Sequence, residues 1–272
     1  MKKVTLFFLF AVSSLFAFSQ VGGRGIFQSL SLPPSARAAA MGGYQIAVVD
    51  NELTLGFQNP ALLNEQMHNQ ITFNQVNYLA DINFGYAGFG YSLDSLTTVL
   101  GGVQYINYGE FTKADEFGNI NGTFSGDEFV IALGIGRKWK HNLSFGANFK
   151  FIYSHLANYF SSGAAFDFGA THNWKEQQLV TSLVIRKLGI QFNSYAGTRE
   201  PLPLDVQLGI SKKLANAPFR FNIMARHLNV PDMSYVNPNA TAIIDLETGL
   251  PQVQTIGLGD NILRHFIVGT DV

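Results

Sequence analysis

The chain has 272 residues and a formal net charge of −1, which gives no electrostatic basis for binding nucleic acid or another polyanion. Only 14% of the residues are charged, against ~25% in soluble domains, while 47% are hydrophobic and 13% aromatic. Cysteine is absent, which excludes disulfides, thiolate metal sites, thiol catalysis and a lipid anchor at a lipobox cysteine.

Met1-Lys2-Lys3 forms a basic start, Val4 to Phe18 an apolar run, and Ala17-Phe18-Ser19 supplies small residues at −3 and −1. This is the pattern of a signal peptide cleaved before Gln20. The apolar run is too short to span a membrane as an anchor helix, and nothing basic follows it. Past residue 20 no apolar run approaches the ~20 residues a membrane helix needs. A Phe-, Tyr- and Gly-rich chain of low charge without such a run fits a membrane β-barrel. A soluble β-sandwich is the plainer reading, but its outer face normally carries more charge.

Gly22-Gly23-Arg24-Gly25 has neither the preceding strand nor the following helix that a phosphate loop requires. The next stretch, Ser31 to Leu63, differs from everything after it. Ser35 is an N-cap candidate for the helix formers Ala36-Arg37-Ala38-Ala39-Ala40-Met41, and Gly42-Gly43 ends that turn. Tyr44 to Val49 is predicted as a short strand. Asn59-Pro60-Ala61-Leu62-Leu63 opens a second helical turn with Pro60 at its first position, where the missing N–H costs nothing. On this local pattern alone the stretch is either a plug inside a barrel or an ordinary connector.

From Asn69 the hydrophobic period becomes two. Ile71 and Phe73 alternate with Thr72 and Asn74; Asn83 to Leu93 and Thr97 to Gly109 are strands joined by an Asp94-Ser95 turn. Glu110 to Asp127 is polar and Gly-rich and reads as a long, extracellular loop. Phe129, Ile131, Leu133 and Ile135 alternate with small residues, and Trp139 suits an interfacial belt. The clearest strand sets Leu143, Phe145, Ala147, Phe149, Phe151 and Tyr153 against Ser144, Gly146, Asn148 and Lys150. Leu204 to Ser211 and Phe219 to Arg226 repeat it, with weaker strands at Ala164–Thr171 and Leu179–Lys187. Asn229 to Asp260 holds three of the nine prolines and reads as a surface loop suited to partner contact. Ile262 to Val272 starts another strand. Strands of about ten residues fit a tilted membrane crossing. In a membrane barrel the apolar face points outward; in a soluble barrel the same alternation points inward.

Ser35-Ala36-Arg37-Ala38, Met41-Gly42-Gly43 and Asn59-Pro60-Ala61-Leu62-Leu63, taken as a set with Phe27 to Pro33 before them, resemble the FadL-like outer-membrane barrels of the PorV/PorQ group. The structural family-motif residues are thus Ser35, Arg37, Met41, Gly42, Gly43, Asn59, Pro60 and Leu63. The resemblance implies an all-β fold: a transmembrane antiparallel β-barrel with an N-terminal small-residue plug. The expected organisation is a signal peptide over 1–19, the plug over 20–68 and the barrel over 69–272. About ten strands are countable, fewer than the resemblance implies. The expectation is therefore a chain lacking its last strands, with a smaller barrel as the alternative.

No H-E-x-x-H, G-x-S-x-G, Walker or EF-hand pattern occurs, and the six histidines are scattered without a ligand partner nearby in sequence. No catalytic, metal or cofactor residues are therefore assigned. Asp167, Lys150, Arg186, Arg220 and Arg226 fall on inward positions, where they either form a charged lumen or pair with one another and with plug backbone. By the resemblance the chain is a non-enzymatic outer-membrane component of the type IX secretion and cell-surface attachment complex. Its implied partners are outer-membrane lipid, a sortase-like peptidase, a PorV-like shuttle and a PorZ-like surface protein, with no nucleic acid. The alternative is a FadL-like transporter of hydrophobic small molecules, and a secreted β-sandwich adhesin is third.

Overall fold

The computed structural model describes residues 25–233, 243–244, 251–252 and 257–271. The expected signal peptide, Gly22-Gly23-Arg24 and most of Asn229–Asp260 lie outside these.

The period-two stretches become strands. They are β1 (Gln70–Asn77), β2 (Asn83–Ser92), β3 (Thr97–Ala114), β4 (Ile120–Lys138), β5 (Leu143–Leu156), β6 (Tyr159–Trp174), β7 (Leu179–Asn193), β8 (Asp205–Lys213) and β9 (Arg220–Ala225). Two-residue strands β10 (Ile243–Ile244) and β11 (Pro251–Gln252) pair with each other, and β12 (Phe266–Asp271) follows. β1 to β9 and then β12 form one ten-stranded antiparallel sheet, each strand beside the next in sequence except for the step from β9 to β12. The order begins at β1 and ends at β12, and these two strands do not pair. The sheet is open, where the resemblance implies closure.

Register lines like residues up across strands. Leu133 opposes Phe149, which opposes Phe166, which opposes Leu188, and all four side chains are exposed. One residue out of phase, Asn148 opposes Asp167, and both are fully buried. The large apolar side chains thus lie on the outer face and the polar ones on the inner face. The inner face is covered by the segment from Gly25 to Met67. Leu53 of this segment touches Gly90 on β2, Pro60 touches Gly146 on β5, Ile46 touches Gly209 on β8 and Met41 touches Gly269 on β12. One short segment reaching β2 through β12 means that the sheet wraps round it.

Turns divide between two ends. Connections of about four to six residues follow β2, β4, β6 and β8 at one end; at the other end those after β1, β3 and β5 are about two to five residues and those after β7 and β9 are longer. In the connection after β2, Asp94 Oδ1 accepts from the Leu96 and Thr97 N–H groups at 2.7 Å each. Those bonds hold its carboxyl below the usual range.

Three expectations are corrected. Tyr44 to Val49 forms no strand: two of its backbone groups pair with side chains instead, Gln45 N donating to Gln58 Oε1 (2.7 Å) and Asn59 Nδ2 donating to Ile46 O (2.7 Å). Glu110 to Asp127 is not a long loop. β3 and β4 continue through it as a hairpin whose turn is Asp115 to Asn119, with register shifts at Asn107/Glu110 and Thr112/Ala114. Phe111 stacks on Phe124 across the strands at 5.1 Å, and Asp115 accepts from the Asn119 side chain and from the Asn119 and Phe117 N–H groups. At the far end, Ile262 and Leu263 belong to a short helix (Leu258–Leu263), and the strand starts only at Phe266.

Candidate functional site

The eight motif residues fall in two places on the inner segment: Ser35, Arg37, Met41, Gly42 and Gly43 near β12, and Asn59, Pro60 and Leu63 against β4 to β6. Helix α1 (Ala36–Ala40) begins at Ser35, whose Oγ accepts from the Ala38 N–H at 3.2 Å. It ends as Gly42 and Gly43 take φ of 83° and 89°, values that an L side chain rarely adopts. A Cβ on Gly42 would also lie 2.7 Å from Ile267 Cγ2 on β12, and the buried Met41 packs on Gly269 of the same strand. The Met-Gly-Gly turn is therefore one contact that binds the inner segment to β12.

Arg37 projects from α1 into a cluster of acids. Its guanidinium reaches Asp50 at 3.0 Å, Glu52 at 3.2 Å and Asp271 on β12 at 2.5 Å. Arg220 on β9 stands 3.6 Å from Asp271 and 3.8 Å from Asp50. Burial alone lowers the Arg37 pKa, but the hydrogen bonds to Asp271, Asp50 and Glu52 outweigh it and raise the value. Burial likewise pushes the Asp50 carboxyl up, and the Asn51 N–H with the Arg37 guanidinium holds it below the usual carboxylate range.

The second motif block is the deepest. Asn59 is fully buried; its Nδ2 donates to Ile46 O and to Thr171 Oγ1 (3.0 Å) on β6, while its Oδ1 accepts from the Ala61 N–H (3.0 Å). Pro60 opens the 3-10 turn Pro60–Leu62, and Asn59 is its cap. This turn sits against Gly136, Gly146 and Gly169 on β4, β5 and β6, where any Cβ would collide with Pro60 or Asn59. Leu63, also buried, packs on Gly136 and Gly56. The glycine row is what lets backbone meet backbone at this seat.

Inward charges complete the attachment. Helix α2 (Thr54–Gln58) presents its last carbonyls to β5: Asn148 Nδ2 donates to Gly56 O (2.9 Å) and Lys150 Nζ to Phe57 O (3.0 Å). Lys150 also lies 3.8 Å from the Phe57 ring centre and 2.6 Å from Asp167 on β6. Arg186 on β7 donates to Leu30 O (3.3 Å). Of the inward charges expected from sequence, Lys150, Asp167 and Arg186 are buried and Arg220 is tied to the Arg37 cluster. Arg226 sits 5.5 Å over the Tyr44 ring.

Lys187 was not foreseen. Strict alternation turns it outward, yet it is 1% exposed, like Arg186 beside it. A register shift between Phe166 and Phe168 leaves Asp167 facing two residues, Lys187 takes φ of 61°, and its N–H donates to Asp167 Oδ1 at 2.8 Å. A β-bulge resets the alternation at this point. No sequence signal marks it.

Among the described residues, clefts open at both ends. At the β2–β3 turn end a space of about 330 Å³ is bounded by Ala61 to Gln66, Trp139, Lys138 and Lys175. At the opposite end one of about 380 Å³ lies between Tyr44, Lys187, Pro201 to Leu204 and Val230. Among the described residues no three acids or histidines gather as a metal set. Compared with known proteins, the chain matches no family model and no curated protein, so its site rests on its own geometry.

Proposed function

We propose that the chain is a non-enzymatic outer-membrane protein of the β-barrel kind, whose strands meet lipid and whose end with the longer connections docks a surface partner. One observation carries the membrane reading: the usual distribution of side chains is inverted. Phe, Leu and Ile side chains stand exposed on strand after strand, while Lys150, Asp167, Arg186 and Asp205 are buried behind them. In water such a continuous apolar face drives association; in a bilayer it is the solvated face. Aromatic residues at the β2–β3 turn end (Trp139, Trp174) and at the opposite end (Tyr78, Tyr159) suit the two interfaces.

The docking half of the proposal rests on the sequence resemblance and on the β3–β4 hairpin. These strands run 18 and 19 residues, where roughly 9–11 suffice for a tilted crossing, so the hairpin extends well past any apolar band. Its tip, Asp115 to Asn119, and the connection after β9 are the surfaces that would meet a sortase-like peptidase, a PorV-like shuttle or a PorZ-like surface protein of the type IX apparatus. A transport role needs a passage past the inner segment. Asn59, Lys150 and Arg186 hold that segment to the wall by buried bonds, which favours docking.

Gentle detergent extraction of the envelope, followed by pull-down on the tagged full-length chain, tests both halves. The expected result is a chain that resists a high-pH wash, needs detergent, and brings down a peptidase or large surface protein lost when 115–119 is replaced by a two-residue turn. Recovery in the soluble fraction without detergent would sink the membrane half; recovery of the chain with lipid alone would sink the docking half.

A further inference from the structure

The outward rows of the strands end differently at the two ends of the sheet. On β4 the exposed residues Phe129, Ile131, Leu133 and Ile135 are continued in the same phase by Arg137, which is exposed as well. On β8 Leu208 and Ile210 are continued in the same way by Lys212. Register sets both cations among apolar neighbours. Arg137 opposes Phe145, and Lys212 lies between Leu179 and Phe221, with Trp174 next along the same row. Arg137 Nη1 donates to Thr97 Oγ1 at 2.9 Å and Lys212 Nζ to Gln177 O. At the opposite boundary the corresponding outward row across β1 to β5 reads Asn77, Asn83, Asn107, Asp127 and His155, with no lysine or arginine in it.

Neighbouring residues reinforce the charge. Lys138 and Lys140 flank Trp139, while Lys175 follows Trp174 and Lys213 follows Lys212. The exposed acids at this end are Glu65, Asp94 and Glu176, and Asp94 is already engaged by two backbone N–H groups. Beyond the opposite boundary the connections carry Asp81, Asp115, Glu116 and Glu200 against Arg199. The two ends thus differ in the sign of their charge. A soluble partner would meet the turns, but cations set in the outward phase among Phe and Trp meet whatever lies beside the strands. At the edge of an apolar band their stems lie along hydrocarbon and their heads reach the head-group layer, where phosphate is the counter-charge at hand.

We propose that the rim of the sheet carrying Arg137 and Lys212 is a binding surface for anionic phospholipid in the adjoining leaflet. Arg137 takes a head-group phosphate by paired N–H bonds and Lys212 takes one as a point charge, with the acyl chains against Phe145 and Phe221. The inference rests on the membrane reading of the outer face and adds to it a lipid class and a leaflet. The occupant is lipid in the bilayer and not a free anion, because the two cations do not converge on one point: they stand four strands apart, roughly 19 Å at the spacing of neighbouring strands.

The two tryptophans of the chain, Trp139 and Trp174, sit beside the two groups of cations and serve as reporters. The test is fluorescence quenching of the full chain in bilayers of equal parts phosphatidylcholine and phosphatidylglycerol, with acyl chains brominated near the head group on one lipid or on the other. The expected result at low salt is stronger quenching by the brominated anionic lipid, equivalent to at least about threefold local enrichment. That preference should largely vanish in 1 M salt, where screening acts within about 3 Å. Arg137→Gln with Lys212→Gln cuts the enrichment by about half or more, Arg137→Lys with Lys212→Arg keeps most of it, and Lys113→Gln with Arg199→Gln at the opposite end leaves it unchanged. Equal quenching by the two lipids overturns this proposal and leaves the membrane reading standing; no quenching by either overturns both. Loss of the preference on adding inorganic phosphate at constant ionic strength assigns the cations to a soluble anion and also overturns it.

Discussion

Removing the buried ion pair between β5 and β6 one partner at a time gives an ordering that the geometry dictates. Lys150 and Asp167 are both fully buried and 2.6 Å apart. Breaking such a pair from one side typically costs about 3–5 kcal/mol, because the remaining charge has no water to turn to. The two sides are unequal here. Asp167→Asn leaves Lys150, Arg186 and Lys187 facing Asp205 alone, and should cost the full 3–5 kcal/mol or so. Lys150→Met leaves two cations and two carboxylates in the same region, losing the bond to Phe57 O and the Phe57 ring contact, so about 2–3 kcal/mol is expected. The double variant Lys150→Met/Asp167→Leu should lie well above the sum of the singles, since no unpaired charge is created by it. Urea unfolding in detergent, followed through Trp139 and Trp174, measures all three. If Lys150→Met proves the more damaging single change, or if the two effects simply add, charge balance is not what holds the inner segment and the reasoning fails.

Gly146→Val places side-chain atoms where Pro60 now sits; about 3 kcal/mol of stability should go, and limited proteolysis should cut within 31–63 faster than in the wild type. Arg37→Ala should cost about 1–2 kcal/mol at neutral pH, a modest figure because the cluster is roughly one-third exposed. The folded Asp50 carboxyl lies below its unfolded value, so the cluster's contribution is complete above about pH 5 and fades as pH falls through the lower folded value. The gap between wild type and Arg37→Ala in urea midpoint should therefore shrink between pH 7 and pH 3; an unchanged gap would rule out an ionic origin. Phe149→Lys on the outer face should cost about 2–4 kcal/mol if that face meets hydrocarbon, whereas a water-facing position would change by less than about 0.5 kcal/mol.

Much of the strand pattern was legible because a pleated strand sends alternate side chains to opposite faces. Leu143 to Tyr153 announced both the strand and its apolar face, and the Ser35 cap and the Pro60 turn lie where their local chemistry puts them. What stayed hidden depended on partners distant in sequence. Glu110 to Asp127 looks like a loop by composition, yet the Phe111–Phe124 stack and cross-strand register carry the ladder through it. Tyr44 to Val49 has strand propensity, but Gln58 and Asn59 supply two of its hydrogen bonds before a neighbouring strand can. Lys187 escaped because a bulge shifts the count by one. Whether the sheet closes depends on how its two outermost strands lie relative to one another, and alternation within a strand carries no such information.

The reach of the inner segment has a consequence for the order of assembly. Nearly every strand pairs with its sequence neighbour, so the sheet can zip together by local hairpins at small entropic cost. The Arg37–Asp271 bond instead joins residues 234 positions apart, for which loop closure alone costs about 5 kcal/mol. The residues synthesised early must therefore wait for strands made much later, and the sheet finishes curling only round a former already laid against it. Changes in the glycine seat should accordingly slow folding itself, while changes on the outer face should act mainly on how fast the finished molecule comes apart.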